Sequence, residues 1–388
     1  MASRSPECCW ILCVKKKRCS MKLACALALV CGSALAACDA PAPSANFSVP
    51  VHGNPFGVVA SSDGCWLFVS LPGRAEIAVL SRGGGKVEVK HTVKIAGEPT
   101  GMVLTHDART LIVAAGPQVL FVDAKKLTGG TAEMTSISDG QDPGSVYVNV
   151  TADDKTLFVS EEAAASISVI DLEHGRRRIG GIPAGRAPIA LTFSADEKYL
   201  YSTSQVAPPG WNWPKACTQE GRGSADIVNP EGAVIVVDVA RARTDPEHSV
   251  VSRVAAGCSP VRLALAAGHV YVTARNSNAV VAFDEAKLVV DPTHARLGMT
   301  EVGPSPVPVI AVSGGKTVIA GNSNRFAKNQ SKPQMLDVLA GDPLRVTGHI
   351  PAGSFPREMR LSPDGNTLFL TNFRSGSVQI LDLKRVLP

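Results

Sequence analysis

Side chains able to bind an anion are concentrated in one part of this 388-residue chain. Arg262, Arg275, Arg325, Arg357 and Arg374 fall in its last third, in or beside segments that read as loops, with Lys328 and Lys332 among them. Arg74 adds another from the first quarter. A guanidinium presents a planar fork of donors that suits a carboxylate, a phosphate or an acidic protein surface. Asn276, Asn322 and Asn372 stand close by in sequence and offer neutral donors and acceptors. The acids Glu98, Asp142, Glu161 and Glu162 lie in a different stretch. The competing reading is that each Arg or Asn binds loop carbonyls or a neighbouring acid, as Glu358 does beside Arg357.

Other chemistry-bearing residues are fewer. Trp211 and Trp213 occupy the segment Pro208-Pro209-Gly210-Trp211-Asn212-Trp213-Pro214. Two indoles in such a loop either grip a partner or pack the loop onto the body. Cys217 and Cys258 either form a disulfide or stay as thiols, whereas Cys65 opens a strand and is expected to be buried. The chain has no Cys-x-x-Cys-His, His-Glu-x-x-His, Gly-x-Ser-x-Gly, P-loop or dinucleotide fingerprint. No cofactor or metal is therefore expected. A calcium centre from Glu161, Asn276 and Asn322 is conceivable, but no spacing supports it.

What must position these residues is a repeat. A Gly followed two or three residues later by Pro recurs seven times, at Pro55, Pro99, Pro143, Pro188, Pro260, Pro306 and Pro356. The spacings are 44, 44, 45, 72, 46 and 50 residues, a propeller period with one large insertion at about 206–232. After each Pro comes an alternating strand such as Ile189–Phe193, then a turn such as Pro363-Asp364-Gly365. A second strand follows (Leu157–Ser160, Leu368–Thr371), then a third ending in Asp (Ile167–Asp171, Val378–Asp382), then a fourth. Four short strands per unit predict an all-β, seven-bladed propeller as one domain over 47–388. The last unit stops after Asp382-Leu383, and Phe47–Gly53 matches a fourth strand, so the N-terminus is expected to close the ring. In that architecture the Gly-Pro entry loops and the loops between second and third strands share one face. The arginines and the insertion therefore fall on it together.

Residues 1–37 read as an address. Bases from Lys15 to Lys22 precede an apolar run from Leu23 to Val30, and small residues lead to Leu35-Ala36-Ala37-Cys38. Without these residues the chain carries 33 basic and 33 acidic side chains, so its charge gives no reason to expect nucleic-acid binding. Met21 is an alternative start, and residues 38–46 read as a Pro/Ala tether.

Leu35-Ala36-Ala37-Cys38 resembles the bacterial lipobox, which implies lipidation of Cys38 and an extracytoplasmic, membrane-anchored protein. Val270-Tyr271-Val272-Thr273, Leu370-Thr371-Asn372 and the turn Ser362–Leu368 resemble the YVTN-repeat propellers and, more distantly, the lactonase-like propellers. That resemblance implies surface-layer structure, partner binding or, in one branch, lactone hydrolysis. Units five and six depart from its Asp-Gly turn (Ala267-Gly268, Gly314-Gly315). The leading expectation is a monomeric binding module for a protein or small anion. One alternative is a lactonase-like hydrolase with Glu161, Glu162 or Glu358 at the channel mouth; the other is a passive envelope protein.

Overall fold

The computed structural model describes Cys38 and residues 44–138, 144–219, 227–326 and 333–387. The segment 1–37 expected as a leader lies outside the described residues, as do most of the expected tether, Asp142, Lys328 and Lys332.

Seven four-stranded antiparallel sheets form the blades of a propeller. The strand after each repeat Pro is innermost, and the inner strands of successive blades pack against one another around the axis. In blade 7 the order is Pro356–Leu361, Thr367–Asn372, Ser377–Asp382, and then the N-terminal strand Asn46–Pro50. That last strand pairs Asn46 with Leu381 through Pro50 with Ser377. The ring closes as the unit ends imply, and two strand edges are removed.

The repeat residues have distinct physical jobs. In four blades a Ser or Thr near the end of the second strand ties the blade inward and sideways. Thr371 Oγ1 accepts from Glu358 N in its own inner strand (3.0 Å) and donates to Phe56 O of blade 1 (2.9 Å). Thr273 does the same between Arg262 N (3.3 Å) and Val307 O of blade 6 (2.8 Å). Ser70 and Thr203 repeat the pattern. The Thr of the Leu-Thr-Asn segment is thus a staple between blades. On the lower face, Ser61/Asp63, Thr105/Asp107, Thr151/Asp153, Ser194/Asp196 and Ser362/Asp364 close five turns, the hydroxyl donating to the carboxylate. The Asp that ends the third strand acts as a cap. Asp123, Asp238, Asp284 and Asp382 accept from backbone N–H groups of short helices that the strand pattern did not foretell.

Entry glycines meet two demands. Gly185 sits at φ +74°, in the left-handed region. At Gly353 a Cβ would come within 2.7 Å of Asn372 Cγ, so the second-strand Asn leaves no room for a side chain. The insertion lies between the second strand of blade 4 (Tyr199–Val206) and its third strand (Ala233–Asp238). It contains a turn over Pro209–Trp211 and a hairpin of Cys217–Gln219 with Ile227–Asn229.

Candidate functional site at the upper mouth

Two layers of side chains fill the axis. The deeper one is built at one inner-strand position, occupied by Tyr147 in blade 3, Arg262 in blade 5 and Glu358 in blade 7. Small residues hold the same place in other blades, such as Gly57 and Ala190, so three large side chains can meet at the centre. Arg262 Nε donates to Glu358 Oε2 (3.2 Å), and Tyr147 Oη donates to the same oxygen (3.1 Å). Arg262 also contacts Tyr147 Oη and lies over its ring, 4.0 Å from the centroid. Arg360 reaches Glu358 Oε1 at 3.4 Å. Burial brings the Arg262 guanidinium down to about 10 even though Glu358 pulls it upward. The result is a buried, mutually satisfied plug across the channel. A cavity of about 210 Å³ extends from it toward the lower face, lined by Leu191, Leu265 and Ile310 among others.

Above the plug lies a layer with the opposite character. Arg275 is buried, and Arg357 is half-buried with its Nε fully covered. Arg325 and Arg374 are exposed at the rim. Backbone clamps hold the loops that carry three of them. In blade 5, Arg275 N donates to Ser259 O (3.0 Å) and Asn276 N to Cys258 O (2.9 Å). In blade 7, Phe373 N donates to Phe355 O (2.9 Å) and Arg374 N to Ser354 O (3.1 Å). In blade 6, Ser323 N and Asn324 N bond Ser305 O and Pro304 O just before Arg325. Each entry loop therefore fixes the loop after its own second strand.

Desolvation is the main influence on three cations of this layer. Burial, then the repulsion of Arg325 and Arg357, brings Arg275 down to about 10. Burial brings Arg357 to about 10, against the pull of Glu358 and Glu162. Partial burial of its guanidinium lowers Arg325, and Arg357 adds repulsion. Among the described residues, Glu162 is the carboxylate that attracts Arg275, Arg325 and Arg357 alike. It accepts from Gln205 Nε2 (3.1 Å), whose Oε1 accepts from Arg275 Nη2 (2.7 Å). The Nε atoms of Arg275 and Arg357 are buried without a hydrogen-bond partner. Aromatic faces support the cations: Arg357 stacks on Phe56 (4.1 Å), Arg374 lies near Phe355 (5.4 Å), and Arg275 lies near the exposed Phe326 (5.7 Å).

The other sequence candidates separate from this group. Arg74 pairs with Glu76 (2.7 Å), which Lys94 also approaches, so it is held within blade 1. Arg262 belongs to the plug. Asn322 donates to Asp337 (2.9 Å) and Asn372 to Gln379 (2.9 Å), so both amides brace their own blades. Asn276 follows Arg275 in the clamped loop, and its Oδ1 is buried without a partner. Trp211 and Trp213 contact each other (5.2 Å between centroids) and pack, half-buried, against the core of blades 3 and 4. Arg253 lies over Trp211. Cys217 and Cys258 are joined by a disulfide that ties the insertion to the entry loop of blade 5. Cys65 is bonded to Cys38, so a lipid thioether and this disulfide compete for one sulfur. Among the described residues, no three His, Cys, Asp or Glu side chains gather as metal ligands. Sequence reading missed Gln205 and Phe326; only their places beside predicted upper loops pointed to them.

Solved structures share the architecture. A hydrazine synthase chain from Kuenenia stuttgartiensis superposes with TM-score 0.61 at 17% identity, covering 85% of this chain and 95% of that one. A chain of the mitotic checkpoint complex superposes with TM-score 0.65 at 13% identity, covering 95% and 99%. No protein-family model and no curated protein matches the sequence. At these identities the likeness establishes the seven-bladed propeller fold and nothing finer.

Proposed function

We propose that this chain is an extracytoplasmic binding propeller, tethered to a bacterial membrane through Cys38, that recognises an anionic group at the mouth formed by blades 5–7. The observation that carries the reading is the layer of Arg275, Arg325, Arg357 and Arg374, with buried guanidinium atoms left unpartnered above a neutralised plug. Preformed sites with convergent unsatisfied donors are the usual form of a ligand pocket. The lipobox resemblance of Leu35–Cys38 and the YVTN-like segments support the location and the non-catalytic role. A propeller chain in the mitotic checkpoint complex shows that the fold serves in protein assemblies. The lactonase alternative loses its most central candidate, because Glu358 is held by Arg262, Tyr147 and Arg360.

The test is a thermal-shift comparison of the mature chain with its Arg275→Glu/Arg374→Glu variant, using acidic peptides, carboxylates, phosphates and lactones. Anions should raise the midpoint of the parent, by ~2.7 kcal/mol of stabilisation at a hundredfold excess over Kd, and leave the variant unmoved. An identical response of both proteins would overturn the assignment of the mouth, and turnover of a lactone would replace it with a hydrolase. Mass analysis of the N-terminal peptide tests the tether: diacylglycerol on Cys38 supports it, and a Cys38–Cys65 disulfide in envelope-extracted protein refutes it.

A further inference from the structure

Below the plug the channel changes character. Two residues further along each inner strand, the other six blades place Val59, Val103, Asn149, Thr192, Ala264 and Ile310, and blade 7 places Arg360. A single guanidinium therefore enters a ring of neutral side chains. It lines the cavity of about 210 Å³ that runs from the plug toward the lower face, together with Leu191, Thr192, Leu265, Ile310 and Met359. The charged side chains of that lining are Arg262, Glu358 and Arg360. Glu358 gives Oε2 to Arg262 Nε (3.2 Å) and Tyr147 Oη (3.1 Å), and Arg360 Nη2 stands 3.4 Å from Oε1. One carboxylate thus serves two guanidiniums, and the repulsion of Arg360 adds to what lowers Arg262. The side chain of Arg360 stays half-exposed.

We infer that this lower channel is a second binding site, for a small monocarboxylate with an apolar body. Arg360 takes the carboxylate on its planar fork, and Leu191, Leu265, Ile310 and Met359 receive the apolar end. The one surplus positive charge of the lining matches one carboxylate. A cavity of ~150 Å³ walled by aliphatic side chains holds a benzene ring, so this one has room for a single ring or a chain of about six carbons. The plug closes the channel above and limits the length of the guest. The site shares no residue with the arginine layer of the upper mouth, so it stands or falls separately from the function proposed there.

Isothermal titration of the full mature chain tests this, with straight-chain carboxylates from acetate to octanoate, benzoate, hexanol and hexylammonium as probes. Affinity should rise about fourfold per methylene up to hexanoate and then level off as the cavity fills. Benzoate should bind, and hexanol and hexylammonium should bind at least tenfold more weakly than hexanoate. Arg360→Met leaves Glu358 its bonds from Arg262 and Tyr147, and should weaken hexanoate about tenfold or more. Thr192→Phe narrows the cavity with every charge in place and should weaken hexanoate comparably. The upper-mouth variant Arg275→Glu/Arg374→Glu should bind hexanoate as the parent does. Hexanoate binding that survives Arg360→Met, or hexanol binding as tightly, would make the cavity an apolar slot without carboxylate recognition and overturn the inference. Affinity that is flat along the series, or indifferent to Thr192→Phe, would reduce Arg360 to a surface cation and overturn it equally. Loss of hexanoate in the upper-mouth variant would move the carboxylate site out of the lower channel, and silence with every carboxylate would remove it.

Discussion

Arg262 and Arg357 lie in neighbouring layers of one channel, and burial brings both guanidiniums down to about 10. Their surroundings differ in kind. Arg262 has a carboxylate, a phenol and an aromatic face, and nothing in its group is left over. Arg357 has the ring of Phe56 and the pull of Glu358 and Glu162 without a hydrogen bond to either, and its Nε has no partner. A buried charge that is paired serves the fold, because removing either partner strands the other. A buried charge that is unpaired costs stability and persists only where something else uses it. The contrast separates structure from function within one shell of residues, and it can be broken by mutation.

The largest effect is expected at the plug. Arg262→Leu removes the buried cation that neutralises Glu358, leaves that carboxylate only Tyr147 Oη and the exposed Arg360, and should destabilise the propeller by about 3–5 kcal/mol in urea unfolding. The double variant Arg262→Leu/Glu358→Leu should recover most of that loss, since neither charge remains to be solvated. If the single and double variants are equally unstable, the plug is not a coupled pair. At the mouth the sign changes. Arg357→Met should keep stability within about 1 kcal/mol of the parent or raise it, because an unpaired guanidinium is exchanged for an apolar side chain of similar reach. A loss as large as that of Arg262→Leu would show that Arg357 belongs to the fold after all.

That distinction could not be drawn along the sequence, while the architecture could. The Gly-Pro period, the strand endings at Asp171 and Asp382 and the missing fourth strand after Leu383 are local signals, each fixed within a dozen residues. They gave the blade count, the ring closure by Asn46–Pro50 and the face on which the loops lie. Whether an Arg has a partner depends on residues a hundred positions away. Arg262 meets Glu358 across 96 residues and Tyr147 across 115, and Arg275 meets Gln205 across 70. Proximity in sequence misleads here: Glu358 follows Arg357, yet its carboxylate hydrogen-bonds Arg262 and Tyr147. The same blindness grouped Asn322 and Asn372 with the site, although Asp337 and Gln379 claim their amides. The Trp pair stayed open because an aromatic in a Pro-rich loop has the same signature whether it faces a ligand or the core.

A neutral version of the plug's logic sits at Thr371. Its hydroxyl satisfies Glu358 N and Phe56 O at once, so it joins blade 7 to blade 1 at the seam where the ring closes. Thr371→Val keeps the shape and removes both bonds, and should cost about 1–3 kcal/mol with two buried groups left unpaired. Thr371→Ser should restore most of it. Equal stability of the valine and serine variants would mean that packing, not the staple, holds the seam.

The smallest effect is expected where a pair is satisfied but wet. Asp153, in the lower turn of blade 3, accepts from Arg243 Nη1 (2.9 Å), Thr151 Oγ1 (2.5 Å) and Lys155 N (3.1 Å). Burial alone would raise its carboxyl, but the bonds from Arg243, Thr151 and Lys155 outweigh it and hold the group at about 2. A carboxylate whose pKa is lower folded than unfolded adds stability above the unfolded value, near 4, and loses it as pH falls toward 2. Since its side chain is 40% exposed, screening keeps the contribution to at most about 1 kcal/mol. Melting midpoints of the parent and Asp153→Asn should therefore differ by a few degrees at pH 5, converge through pH 3, and coincide near pH 2. A gap that persists or widens below pH 3 would assign the effect to the turn's geometry rather than to charge. Asp153 would then join Thr371 as a neutral brace, in contrast to the buried charge pair of the plug.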